Sequence, residues 1–339
     1  MNIDETVKDN DKSNTLKTFP NGKCLLDGGL NGLYELKIKN FIGKGNFGGI
    51  FKGRNIYTNE KVAIKLEPLK TKSLQLIFEN YFYKLLGRFH GIEGFPEVYY
   101  FGNVGLEFSA LVMEMLGPSL ETLFHSCGKI FTLKTVLMIA VQLISRIEYV
   151  HSRNLVYRDI KPENFLIGLP EQLVPYKIST EQTIYLIDFG LANEYINSDT
   201  RSHISCNDNV GLIGTAKFMS INAHRQIEQS RRDDLESIGY MLLYFIKGKL
   251  PWSEYESDDL DKVEKMKGNR MHRTPLLHLS TITGLLTYTD LPIGVVVFLN
   301  LVTIYDVKNF YSDVQKFLSL TKLYENIYNV VINIIIKQN

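Results

Sequence analysis

Cysteine is scarce in this chain, and its three copies, Cys24, Cys127 and Cys206, share no metal-ligand spacing. That excludes a disulfide framework as the basis of the fold and fits a reducing compartment. Net charge is nearly absent, at +1, so no global field draws the chain toward nucleic acid or an anionic membrane surface. Long apolar runs are missing too. The longest, about Leu291 to Tyr305, is interrupted by Pro292, Gly294 and Asn300. It falls short of the roughly 20 residues that span a bilayer and reads as C-terminal core. The start, Met1-Asn2-Ile3-Asp4-Glu5, is polar and acidic, unlike a secretory signal. Asn2 stands where myristoylation needs glycine, and Lys337-Gln338-Asn339 carries no prenylation box. There is no internal repeat. The expectation is a cytoplasmic monomer with access to the nucleus, no nucleic-acid partner and no clear membrane anchor.

What is present is an ordinary globular composition, 45% hydrophobic and 22% charged over 339 residues. That length supports one large bilobal unit or two modest domains. Residues 1–33 are rich in Asn, Asp, Lys, Thr and Ser and read as a disordered or loosely docked tail. From Leu33 the pattern turns to short alternating runs: Tyr34 to Ile38, Gly43 to Arg54 and Lys61 to Leu66. These predict antiparallel strands joined by turns such as Tyr57-Thr58-Asn59-Glu60. A helix is expected at about Leu74 to Leu86, then strands at Val98 to Phe101 and Ser109 to Glu114. After Gly117-Pro118 the pattern is helical, at Leu120 to Phe124, Leu133 to His151 and Asp233 to Lys247. A β-rich part followed by a mainly helical one is an α+β arrangement.

Tyr157-Arg158-Asp159-Ile160-Lys161-Pro162-Glu163-Asn164 follows the longest of these helices, and Ile184-Tyr185-Leu186-Ile187 leads into Asp188-Phe189-Gly190. Any one of these polars is by default an ordinary loop residue. Together they match the catalytic loop and metal site of a protein kinase. Phosphoryl transfer needs a carboxylate to orient the attacking hydroxyl and accept its proton, which points to Asp159. It needs oxygen ligands to hold Mg²⁺ against the nucleotide phosphates, which points to Asn164 and Asp188. Lys161 can bring positive charge to the transferred group.

Gly43-Lys44-Gly45-Asn46-Phe47-Gly48-Gly49-Ile50 fits the glycine-rich loop that covers ATP phosphates. Alone it is weak. A dinucleotide-binding turn would run into a helix, whereas these glycines run into the strand pattern Ile50-Phe51-Lys52-Gly53-Arg54. Val62-Ala63-Ile64-Lys65 supplies the strand lysine, whose helix carboxylate is expected to be Glu79 rather than Glu67 or Glu93. Ile42, Ile50, Ala63, Leu166 and Ile187 flank these motifs and can form an adenine slot. Met113-Glu114-Met115-Leu116 precedes Gly117-Pro118 at the junction of the two parts.

Longer stretches resemble the casein kinase I family of Ser/Thr protein kinases, and its gamma subgroup most. They are Tyr57 to Pro68, Leu116 to Glu121, Tyr149-Val150-His151-Ser152, Ser220-Ile221-Asn222 where most kinases carry Ala-Pro-Glu, and Glu228 to Ser237. The resemblance runs from about Tyr34 to Trp252. It implies a two-lobed kinase fold, with an N-lobe over 34–116 and a C-lobe over 117–320. The C-lobe diverges from about residue 276, and an apolar extension covers 321–339. It also implies ATP and Mg²⁺ as cofactors, protein substrates with Ser or Thr targets, and activity without activation-loop phosphorylation. In the residue-by-residue match, Asp159 accepts the proton, Lys65 and Glu79 pair, and Asn164 and Asp188 hold metal. Met113 is the gatekeeper, Glu114 and Leu116 contact the adenine edge, and Asp234 braces the catalytic-loop backbone. Asn207 and Val210 stand where the resemblance leads one to expect basic residues that read an upstream phosphate. Ser257-Asp258-Asp259-Leu260-Asp261 is acidic where relatives are basic. The competing reading is a catalytically weak kinase-like scaffold, whose usual sign, loss of the lysine or either aspartate, is absent.

Overall fold

A computed structural model describes residues 33–44, 48–70, 75–87, 92–105, 107–169 and 183–253. The expected N-terminal tail before Leu33, the turn tip Gly45-Asn46-Phe47 and everything expected after Ser253 lie outside the described residues.

The first part is a five-stranded antiparallel sheet in the order β1-β2-β3-β5-β4. Its strands are β1 (Tyr34–Lys44), β2 (Gly49–Asn55), β3 (Lys61–Pro68), β4 (Val98–Val104) and β5 (Phe108–Glu114). Gly43 and Lys44 end β1 rather than opening β2. Register shifts on either side of Phe41 break the alternation there, which is why the sequence pattern shows the strand only as far as Ile38. Alternation sorts the faces of β3. Val62, Ile64 and Leu66 enter a core with Leu36, Phe51, Ala110 and Val112, leaving Ala63, Lys65 and Glu67 on the opposite face. Helix α1 (Gln75–Leu85) has no acidic residue in its own first turn. Glu67 supplies that charge from β3, accepting the Gln75 and Leu76 amides at 3.1 and 3.0 Å.

The second part holds α2 (Leu120–Ser126), α3 (Leu133–Ser152), α4 (Ile221–His224) and α5 (Arg231–Lys247). Thr132 caps α3 by accepting the Thr135 amide, and Gly248, at φ 78°, ends α5 in the left-handed conformation. Helix α5 starts two residues earlier than the apolar pattern suggests. The Ser230 amide donates to Asp233 Oδ2 at 2.7 Å, which makes Asp233 the third helical residue instead of the first. Short strands β6 (Leu155–Val156), β7 (Phe165–Ile167), β8 (Ile184–Leu186) and β9 (Asn193–Glu194) pair as β6 with β9 and β7 with β8.

One core cluster runs from Leu76 and Phe82 on α1, through Phe95 and Phe189, to Ile147 on α3 and Phe245 on α5. The two parts therefore share apolar interior. Polar ties reinforce the junction: Tyr149 Oη donates to the Leu86 carbonyl at 2.7 Å, and the Leu186 amide to the Gly94 carbonyl at 2.8 Å. This is the two-lobed α+β arrangement that the sequence led one to expect.

Candidate active site

The loop between β6 and β7 carries Asp159. Just before it, Arg158 adopts φ 69°, a left-handed backbone that costs a non-glycine residue about 1–3 kcal/mol. Asp234, from the first turn of α5, holds that conformation. Its Oδ2 accepts the Tyr157 amide and its Oδ1 the Arg158 amide, both at 2.8 Å, while His151 Nε2 lies 2.9 Å from Oδ2. Asp159 is 2% exposed, and both its oxygens are engaged. Lys161 Nζ donates to Oδ2 at 2.7 Å, Asn164 Nδ2 to Oδ2 at 3.1 Å, and Thr215 Oγ1 to Oδ1 at 2.7 Å.

Lys65 lies between two carboxylates. Its Nζ is 2.6 Å from Glu79 Oε2 and 2.9 Å from Asp188 Oδ1. Burial pulls the Lys65 ammonium down, yet Glu79 and Asp188 outweigh it and hold its pKa above the ordinary value. Burial would raise Asp188, but Lys65 beside it and Lys161 farther off keep that carboxyl below the usual range. Glu79 shows the opposite balance: burial, opposed by Lys65, pushes it up to about 7. Glu79 is thus the partner of Lys65. Glu67 is occupied at the start of α1, and Glu93 faces Arg146 at 3.1 Å.

The β7–β8 hairpin brings Asn164 and Asp188 to one end. Its ladder continues beyond the strands with the Ile187 amide donating to the Asn164 carbonyl at 3.0 Å. Asp188, like Arg158, has a positive φ, 61°. Phe189 behind it is fully buried, edge-on to Tyr83 at 5.0 Å and Tyr157 at 5.3 Å between ring centroids.

The apolar slot forms around the same cleft. Ala63 pairs with Met113 across β3 and β5, and Met113 is buried at the junction. Ile50, Ala63, Leu166 and Ile187 are half-buried, and Ile42 is exposed. The crossing segment is pinned from both sides. The Glu114 amide donates to the Glu97 carbonyl and the Gly117 amide to the Ile167 carbonyl, each at 2.8 Å; Leu116 is buried. Within the glycine-rich turn, Gly43 has open space around it, whereas a Cβ at Gly48 would lie 1.8 Å from the Leu66 carbonyl oxygen. Strand packing alone therefore already requires glycine at position 48. Gly49, at the start of β2, is buried. The Lys44 side chain and Gly45-Asn46-Phe47 are outside the described residues.

Two site residues escaped the sequence reading. Thr215 sits in Gly214-Thr215-Ala216, which carries no periodic signal, and meets Asp159 only through a fold that closes 56 residues. Glu67 was weighed only as a rival of Glu79; its helix-capping role depends on where α1 begins.

Residues 36–287 match the protein kinase domain. Over 239 residues the chain is 47% identical to casein kinase I homolog 3 of Schizosaccharomyces pombe, an alignment covering 70% of this chain and 52% of that protein. The chain thus spans about half the length of that relative. The domain match takes in every element that positions Asp159, Lys65, Glu79, Asn164 and Asp188. The chain belongs to the protein kinase family and is similar within it to casein kinase I.

Proposed function

We propose that this protein is an ATP-dependent Ser/Thr protein kinase of casein kinase I type, transferring the γ-phosphate of ATP to Ser or Thr hydroxyls of proteins. The observation that carries this reading is the joined pair of networks: Asp159 oriented by Lys161, Asn164 and Thr215, and Lys65 bridged by Glu79 and Asp188. Asp159 receives the substrate hydroxyl proton as the hydroxyl oxygen bonds to the γ-phosphorus and the bond to the β-phosphate oxygen breaks, releasing ADP. Lys161 and Lys65 supply positive charge to the transferring and the α/β-phosphates respectively.

Asp188 and Asn164 fit a hard divalent cation, since they offer a carboxylate and an amide oxygen at one end of the hairpin. The hydrogen bonds that the described residues make to the Asp188 carboxylate go to Oδ1, and Asn164 Nδ2 turns back to Asp159, leaving an oxygen of each for Mg²⁺. Bound MgATP supplies the phosphoryl group and charge to neutralise the leaving diphosphate. Met113, Glu114 and Leu116, with Ile42, Ile50, Ala63, Leu166 and Ile187, line the adenine side.

The same reading includes activity without activation-loop phosphorylation. Arg158 Nε donates to the Leu191 carbonyl at 2.7 Å rather than waiting for a phosphoryl group. The activation segment is further held by Val210 N to Gln226 O at 3.0 Å, Glu228 N to Asn207 O at 2.8 Å, and Gln229 Nε2 to Ile213 O at 2.9 Å. Among the described residues no helix is long and apolar enough to cross a membrane.

The test is incubation of the full chain with MgATP labelled at the γ-position and generic acidic and basic protein substrates. Label recovered as phosphoserine or phosphothreonine supports the reading. Nucleotide binding with no transfer to any protein would favour a scaffold instead.

A further inference from the structure

Glu79 and Tyr81 lie two positions apart on α1, a rotation of about 200° at 3.6 residues per turn, and so project from nearly opposite sides of the helix. Glu79 is buried on Lys65, while Tyr81 is 44% exposed at the rim. The Tyr81 hydroxyl is not left to solvent. It donates to Glu194 Oε1 at 2.8 Å, reaching 113 residues along the chain. Glu194 belongs to β9 and pairs with Leu155 of β6, the strand that opens the catalytic loop. The buried face of α1, the Glu67 cap and Glu79 already hold the helix in place. A tether on the far side, anchored in the strand paired with the one that opens the loop, further restrains its roll.

We propose that Tyr81 is a positioning residue whose hydroxyl, held by Glu194, locks the roll of α1 so that Glu79 faces Lys65. The tether acts by raising the share of molecules in which the Lys65–Glu79 pair is closed. Tyr83, two positions further on, contributes from inside: its hydroxyl accepts the Asp188 amide at 3.3 Å and its ring packs edge-on against Phe189. Tyr81 is therefore the outer of two aromatic contacts that tie α1 to the segment following β8. This proposal rests on the kinase reading above, through which a closed Lys65–Glu79 pair matters for phosphate positioning.

The experiment uses the full chain with Tyr81→Phe, Glu194→Gln and Glu194→Ala, and measures kcat, KM for ATP and MgATP affinity by titration calorimetry. Tyr81→Phe and Glu194→Ala should each lower kcat/KM for ATP by about three- to tenfold, with the double variant no worse than either alone. Glu194→Gln keeps an acceptor and should stay within about twofold of wild type. In a Glu79→Gln background, Tyr81→Phe should cost nothing further in residual turnover or MgATP affinity, because the tether works through Glu79. Wild-type kinetics in Tyr81→Phe, or equal losses with and without Glu79, would overturn the proposal, the second result marking a merely structural role. Absence of transfer in wild type would instead remove the kinase reading; the tether is then judged on MgATP affinity alone.

Discussion

Thr215 Oγ1 donates to Asp159 Oδ1 at 2.7 Å, linking the activation segment directly to the carboxylate proposed as the proton acceptor. With Lys161 on the other oxygen, also at 2.7 Å, Asp159 is clamped between two segments far apart in sequence. Thr215→Val keeps the shape and removes the donor. A charge-assisted hydrogen bond contributes about 1.5–3 kcal/mol, so kcat should fall about tenfold to a hundredfold. KM for ATP should hardly move, and Thr215→Ser should recover most of the loss. Steady-state kinetics on the three proteins checks this.

Asp234 spans the catalytic-loop backbone with both oxygens while 2% exposed. Asp234→Asn keeps one acceptor and turns an NH₂ toward an amide donor. The left-handed Arg158 then loses half its support. Unfolding free energy should drop by about 2–4 kcal/mol, read from denaturant midpoints, with activity falling alongside. Unchanged stability would mean the loop conformation does not depend on Asp234.

Legibility in the sequence divides by how local the physics is. Strands and helices showed in alternation and in the 3.6-residue period where an element buries mainly one face, as β2 does, whereas β5 is buried on both. The loop and its partners showed because their chemistry fixes residue types at short spacing, so Asp159, Lys161, Asn164 and Asp188 were legible as a group. Glu79 was legible only because it alone among the three candidate acids lies inside the expected helix. Thr215 and the Tyr81–Glu194 contact were not legible, since each joins residues with no shared periodicity across a fold-level closure. Nor was the second half of β1, where irregular register on either side of Phe41 hides the strand. That the Leu66 carbonyl demands glycine at position 48 was not legible either, since it depends on how β2 and β3 pack.

Glu79 also gives the fold a pH signature. Burial raises its carboxyl from 4.5 to about 7 in the folded chain, so between those values the folded state binds more protons than the unfolded one. The contribution of Glu79 to stability is therefore fully present below about pH 4.5 and is lost as pH rises through about 7. Thermal midpoints of wild type should fall relative to Glu79→Gln across that window. A wild-type curve parallel to that of the Gln variant would show that Glu79 titrates as an ordinary carboxyl.

Substrate choice is expected to differ from that of the family this chain resembles, because Asn207 and Val210 stand where basic residues were expected. Residues His203 to Val210 contain no Arg or Lys. Of the nearby cations Arg201 is exposed, whereas three have local engagements: Lys217 Nζ lies 3.6 Å from the Tyr244 ring centroid, Arg231 lies 4.7 Å from that of Tyr195, and Arg232 lies 3.7 Å from Asp233. The enzyme should discriminate weakly between peptides with and without an upstream phosphoserine. Asn207→Arg should add about tenfold preference for the phosphorylated one in kcat/KM. A strong wild-type preference would contradict this and point to a cation elsewhere.

The most direct test of the central claim is phosphate transfer by Asp159→Asn set against its MgATP affinity. The account predicts that transfer to protein hydroxyls falls to background while MgATP binds about as tightly as in wild type, because Asp159 orients the hydroxyl and Lys65, Asn164 and Asp188 hold the nucleotide. Near-wild-type turnover in Asp159→Asn would contradict it.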